Sequence, residues 1–208
     1  MVGNDLVDLG DAETSAAEIH PRFDTRVFTV EELATLHGSV APARLRWILW
    51  AAKEAAYKLA RKEAPVVFSP RRFRTVLVGS NRAVVTHARR SFAVTIAARR
   101  DHVHAVAHSG PVRRGWTLVS GIRRLGAGAP GGPALDPSVA VRAFTIAQLA
   151  RRLGVAAAAL SIEREERIPR LVLRGRPADA DLSLSHHGRL VAFACELDLR
   201  HGSPAVSP

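Results

Sequence analysis

The chain has 208 residues, 47% of them apolar, enough for one domain with a sizeable core or two small halves sharing one and too apolar for a disordered chain. Thirty Lys plus Arg against nineteen Asp plus Glu leave a net charge of +11. Such a surface attracts polyanions (nucleic acid, anionic lipid, a multiply phosphorylated small molecule or an acidic protein) without choosing among them. Apolar runs such as Val155–Leu160 and Leu190–Cys195 are far too short to cross a bilayer, and the single cysteine, Cys195, excludes an internal disulfide. Met1 to Gly10 carries Asp5 and Asp8 where a signal peptide would carry cations, so a cytoplasmic chain with no membrane partner is expected.

Val2–Leu9 reads as a short apolar strand. Phe28-Thr29-Val30-Glu31-Glu32-Leu33 starts a helix, because Thr29 and Glu32 make a capping box in which each side chain satisfies a free backbone donor. A longer helix follows from about Ala43 to Lys62, with Leu45, Ile48, Ala52, Ala55 and Leu59 forming one apolar stripe. From Phe73 to Val106 the pattern turns to period two and β-branched residues, as in an antiparallel meander. Gly126 to Pro133 is a Gly/Pro run without periodicity, so 109–137 reads as a linker between a half at 1–108 and a half at 138–208. The second half holds a helix from about Ser138 to Leu153 ended by Gly154, then strands near Leu160–Glu165, Arg170–Leu173, Asp181–Ser185 and Leu190–Leu197. The fold class expected is α+β: two pseudo-symmetric halves, each a small antiparallel sheet packed with helices.

Three groups of residues carry chemistry. Trp50, Lys53, Glu54, Tyr57 and Lys58 recur at helical spacing and project together on a second face of the long helix. There Glu54 can hold a metal or accept a proton while the lysines neutralise charge on a phosphate, or Glu54 and Lys58 are a plain i,i+4 pair. Gly3-Asn4-Asp5 offers a close backbone approach and a carboxylate for a hard cation. In Asp181-Leu182-Ser183-Leu184-Ser185-His186-His187-Gly188, hydroxyls and an imidazole at a turn suit phosphate oxygens or a polar hairpin edge. His102, His104 and His108 lack the thiolate or carboxylate company of a zinc site.

Together, Gly3-Asn4-Asp5, Phe28-Thr29-x-x-Glu32 and Trp50-Ala51-Ala52-Lys53-Glu54-Ala55-x-x-Lys58 resemble the signature of the phosphopantetheinyl transferases, and Ser183-Leu184-Ser185-His186 looks like that family's Ser-x-Ser-His segment. The resemblance implies transfer of the phosphopantetheine arm of coenzyme A to a serine of an acyl or peptidyl carrier protein, releasing 3′,5′-ADP. Asp5 and Glu54 match magnesium ligands, Glu54 also the proton acceptor, and Lys58 the lysine at the phosphate under attack. Ser185, His186, Lys53, Lys58 and Arg170 are the implied coenzyme A contacts. Val7 stands where the longer, surfactin-synthetase-activating type has a third carboxylate, with Asp8 as a reserve close by, and Arg167-Ile168-Pro169-Arg170 or Gly175-Arg176-Pro177 stands for the family's Gly-Lys-Pro segment.

The Ser-His half comes last here, as in the short carrier-protein-synthase type, yet the chain is nearly twice that type's length. A circular permutation of the two-half type accounts for both; an insertion into the short type is the rival. Permutation implies a monomer with Leu190–Leu197 beside Val2–Leu9 and the active site in the cleft between the halves. Two other functions stay open: a coenzyme A- or carrier-binding pseudoenzyme, motivated by Val7 and the altered Gly-Lys-Pro segment, and a nucleic-acid-binding protein, motivated by charge alone. The second lacks a zinc finger, stacking platform or recognition-helix pattern, so no nucleic-acid partner is expected.

Overall fold

The computed structural model describes residues 1–126 and 136–198. In chain order its elements are β1 (Val2–Asp8), α1 (Phe23–Val27), α2 (Val30–His37), α3 (Pro42–Glu63), β2 (Arg74–Gly79), β3 (Arg82–His87), β4 (Arg90–Ala98), β5 (His102–His108), β6 (Trp116–Arg124), α4 (Pro137–Leu153), β7 (Leu160–Glu165), β8 (Ile168–Leu173), β9 (Arg176–Pro177), β10 (Ala180–His187) and β11 (Leu190–Asp198). The class is α+β, with three antiparallel sheets ordered β1-β5-β4-β3-β2, β10-β11-β6 and β7-β8-β9. Among the described residues no helix is long and apolar enough to cross a membrane.

Local chemistry sets the ends of the helices. Thr29 and Glu32 form the capping box of α2, Glu32 Oε2 accepting from the Thr29 amide at 2.7 Å. Pro42 opens α3, where a missing N–H costs nothing, and Pro65 follows its end. Asp136 caps α4 by accepting from the Ser138 amide at 2.8 Å, and Gly154 closes it in the left-handed conformation at φ 65°.

One core lies between α3 and the five-stranded sheet. Ala51, Ala52, Ala55 and Ala56 are wholly buried, so the helix backbone comes close to Val85, Phe92, Val103 and Ala105. A second core joins α4 to the β10-β11-β6 sheet through Phe144, Leu149, Leu182, Val191 and Phe193. The halves are therefore unequal: one sheet and three helices against two sheets and one helix.

The stretch read as a linker holds a strand. β6 pairs with β11 along its whole length, from Leu190 opposite Arg124 to Asp198 opposite Trp116. Its residues alternate poorly in burial, and Pro111, Gly115 and Gly126 flank it, so its sequence advertises a loop. Residues 127–135, most of the Gly/Pro run, lie outside the described residues.

Where the halves meet, Leu190 and Ala192 of β11 pack on Leu6, and Ala194 packs on Val2 and Val106. The strand directly alongside β1 is β10. The two run parallel at a constant offset but belong to different sheets, joined through side chains. The Val2 amide donates to the Asp181 carboxylate, the Asn4 amide to Ser183 Oγ at 2.9 Å and the Asp8 amide to His187 Nδ1 at 3.2 Å. Alternate residues of β10 thus satisfy the outer edge of β1, which would otherwise be an open template.

Candidate active site

Gly3 decides how close β1 comes to α3. A Cβ there would lie 2.1 Å from the Ala55 carbonyl oxygen and 2.7 Å from the Leu59 amide nitrogen, so any side chain would force strand and helix apart. Period two then turns Asp5 toward α3, where its Oδ1 accepts from Lys58 Nζ at 2.7 Å. Glu54 lies one turn before Lys58. Its carboxyl is pushed up to about 7, first by burial and next by the negative charge of Asp5, with Lys58 and Arg61 opposing. Asp5 and Glu54 are therefore two repelling carboxylates under one ammonium, an all-oxygen donor pair.

No group of three or more His, Cys, Asp or Glu side chains is placed to hold a metal among the described residues. The pair fits a small hard cation that takes its remaining ligands from water and substrate phosphate, as magnesium commonly does. Val7 is buried in the α3 core and offers no donor. Asp8 is fully buried and bonded instead to the amides of Gly10 at 2.9 Å and Arg189 at 3.1 Å.

His186 reaches the same place from the other half. Burial and the charge of Lys58 hold its imidazole below the usual histidine range, while Asp136 and Asp5 oppose. Beside it is a cavity of ≈ 200 Å³ with Lys58, Arg61 and Lys62 on α3, Arg142 on α4, Arg164 on β7 and Arg167 at the β7–β8 turn. Among the described residues no carboxylate side chain lines this cavity, so six cations gather on one concave surface. The turn itself is held in place: the Arg61 guanidinium donates to the Arg167 carbonyl at 2.7 Å. Glu166 and Arg167 sit at φ 46° and 73°, a two-residue hairpin turn usually left to glycine or asparagine.

Asp5, Glu54, Lys58 and His186 are thus brought together within one chain. Three other candidates fall elsewhere. Lys53 has no exposed surface, and its ammonium is held by both Glu32 oxygens at 2.8 Å and by the Phe73 carbonyl at 2.6 Å, which removes it from the coenzyme A contacts. Ser185 is buried on the β1 side of β10 and accepts from Asn4 Nδ2 at 2.9 Å, so it belongs to the seam. Arg170 pairs with Glu165 at 2.9 Å on an exposed hairpin and does not line the cavity; Arg164 and Arg167 do. The histidines are separately engaged: His102 with Asp101, His104 with Asn4 and His108 with the Gly110 carbonyl. Sequence reasoning missed Arg61, Arg142 and Arg164, whose only signal was the net charge.

The family model of the ACPS 4′-phosphopantetheinyl transferase superfamily matches residues 1–107, just over half of the chain. The chain belongs to that superfamily. The match covers the Gly3-to-Asp5 strand, the capping box and the whole of α3, so the elements that bring Asp5, Glu54 and Lys58 together lie within the matched segment. It stops at Ala107, before the half that supplies His186, Arg142, Arg164 and Arg167. No curated protein matches the chain.

Proposed function

We propose that this phosphopantetheinyl transferase moves the phosphopantetheine arm from coenzyme A to a carrier-protein serine. One observation carries the reading: a carboxylate pair under Lys58 opens beside a cavity lined by cations and His186. That combination suits a pyrophosphate at its reactive end and further phosphate groups beside it. Asp5 and Glu54 would hold a magnesium ion, which supplies positive charge at the pyrophosphate oxygens.

Glu54 takes the proton of the serine hydroxyl, whose oxygen forms a bond to the arm's phosphorus as the pyrophosphate P–O bond breaks and 3′,5′-ADP leaves. Burial and the negative charge of Asp5, which raise this carboxyl in the metal-free chain, favour its taking that proton. Lys58 keeps donor capacity beyond its bond to Asp5 and stabilises the phosphoryl group in flight. His186, Arg142, Arg164 and Arg167 bind the phosphates of the leaving nucleotide. The partner is an acidic carrier protein, and since one chain supplies both walls, the acting species is a monomer in the cytoplasm.

Incubation with coenzyme A, magnesium and an apo-carrier protein tests this. Loading of the serine with one 3′,5′-ADP released per arm is expected; coenzyme A bound without transfer would make the chain a binding protein instead.

A further inference from the structure

Lys62 lies one turn beyond Lys58 on the same stripe of α3, yet its environment is opposite. Lys58 has one carboxylate partner and a side chain 25% exposed, whereas the Lys62 side chain is 6% exposed. Its ammonium donates to the Val2 carbonyl at 2.7 Å, the Leu182 carbonyl at 2.8 Å and the Asp181 carboxylate at 3.0 Å. An ammonium has three protons, and these three groups take them all. Asp181 in turn accepts from the Val2 amide. Burial lowers the affinity of Lys62 for its proton and the charge of Asp181 opposes that loss, so the pair depends on staying intact.

These partners sit on the elements that carry the chemistry. α3 bears Glu54 and Lys58, β1 bears Asp5 and β10 bears His186. β1 and β10 share no backbone ladder, so their relative position rests on side chains. We propose that Lys62, with Asp181, is a positioning residue: its ammonium fixes β1 and β10 against α3 and so sets the distance between the carboxylate pair and His186. Although Lys62 borders the cavity, it has no proton left for a phosphate. Its catalytic consequence rests on the transferase reading above; its structural one does not.

Amide hydrogen exchange and steady-state kinetics on full-length Lys62→Met test this together. The amides of Val2 and Asn4, which face β10, should exchange about tenfold faster or more, with β4 and β11 unchanged. The turnover kcat should fall by about 10²-fold and KM for coenzyme A rise by much less, since the reacting groups are misplaced and, of the phosphate contacts, only His186 moves with β10. Asp181→Asn should reproduce both effects, and the double variant should be no worse than either single one. If Lys62→Met does not fold, Asp181→Asn carries the same test. Unchanged exchange at Val2 and Asn4 overturns the proposal, as does a raised KM at unchanged kcat, which would make Lys62 a phosphate ligand. Should the wild-type chain show no transfer, the exchange measurement still decides the structural role.

Discussion

Glu54 concentrates a conflict between stability and activity. Its carboxyl titrates at about 7 in the fold against 4.5 as a free side chain, so the folded state holds the proton more tightly than the unfolded one. Its contribution is therefore lost as pH rises from about 4.5 through 7, and above that the folded chain bears the full cost of a buried negative charge beside Asp5. Glu54→Gln removes that cost. It should be more stable than wild type at pH 8, by on the order of 2 kcal/mol in denaturant titrations after allowance for residual exposure, while transfer falls by about 10²–10⁴-fold. His104 has the opposite slope. Buried and held down to about 4 from 6.5, it contributes stability above pH 6.5 that is lost as pH falls toward 4. The two slopes oppose each other in the wild type; in Glu54→Gln, unfolding midpoints should rise with pH between about 4.5 and 6.5. A flat or falling profile in that variant would contradict these environments. The helix period put Glu54 and Lys58 on one face, but Asp5 was joined to them only by the resemblance of the three motifs to the transferase signature, since Asp5 and Lys58 lie 53 residues apart. The place of Lys53 was not legible, because its partners Glu32 and Phe73 lie 21 and 20 residues away and the helix period places it only at the margin of the exposed stripe.

At the scale of elements, the motif residues turn out to be framework as much as chemistry. Glu32 caps α2, takes the Lys53 ammonium and accepts from the Thr75 amide at 2.6 Å, so one buried carboxylate joins α2, α3 and β2. Glu32→Gln should leave the Lys53 charge uncompensated and cost about 3–5 kcal/mol in chemical denaturation, since breaking one side of a buried pair is more harmful than replacing both. Gly3→Ala should cost about 1–3 kcal/mol through forced separation of β1 from α3, and with Asp5 displaced should lose activity beyond its loss of folded protein. Wild-type turnover in Gly3→Ala would refute the close-approach argument. The meander, the long helix and α4 were read correctly because each is specified by its own period. β6 was hidden because its pairing with β11 is non-local and its exposed face blurs the alternation. That Ser183 and Ser185 share one face of their strand was visible, but that β1 would be its partner could not be read from either strand alone.

For the whole molecule, the question is whether one chain completes the site. β10, not the expected β11, lies directly alongside β1, while β11 packs on β1 through Leu190, Ala192 and Ala194, and Asp5, Glu54, Lys58 and His186 converge within one chain. An insertion into a short-type enzyme would instead place the Ser-His half against a neighbouring protomer's carboxylates. Mixing Glu54→Gln with His186→Ala chains should accordingly restore no activity, whereas recovery would require sites shared between chains. The measurement that bears most directly on the account is carrier loading by size-separated protein. The chain is resolved by size, each fraction is given coenzyme A, magnesium and apo-carrier protein, and the carrier is weighed by mass spectrometry. The account predicts that the monomer fraction adds phosphopantetheine to the carrier serine and that a chelator stops it. A folded monomer that loads nothing, or loading confined to a larger species, would contradict it.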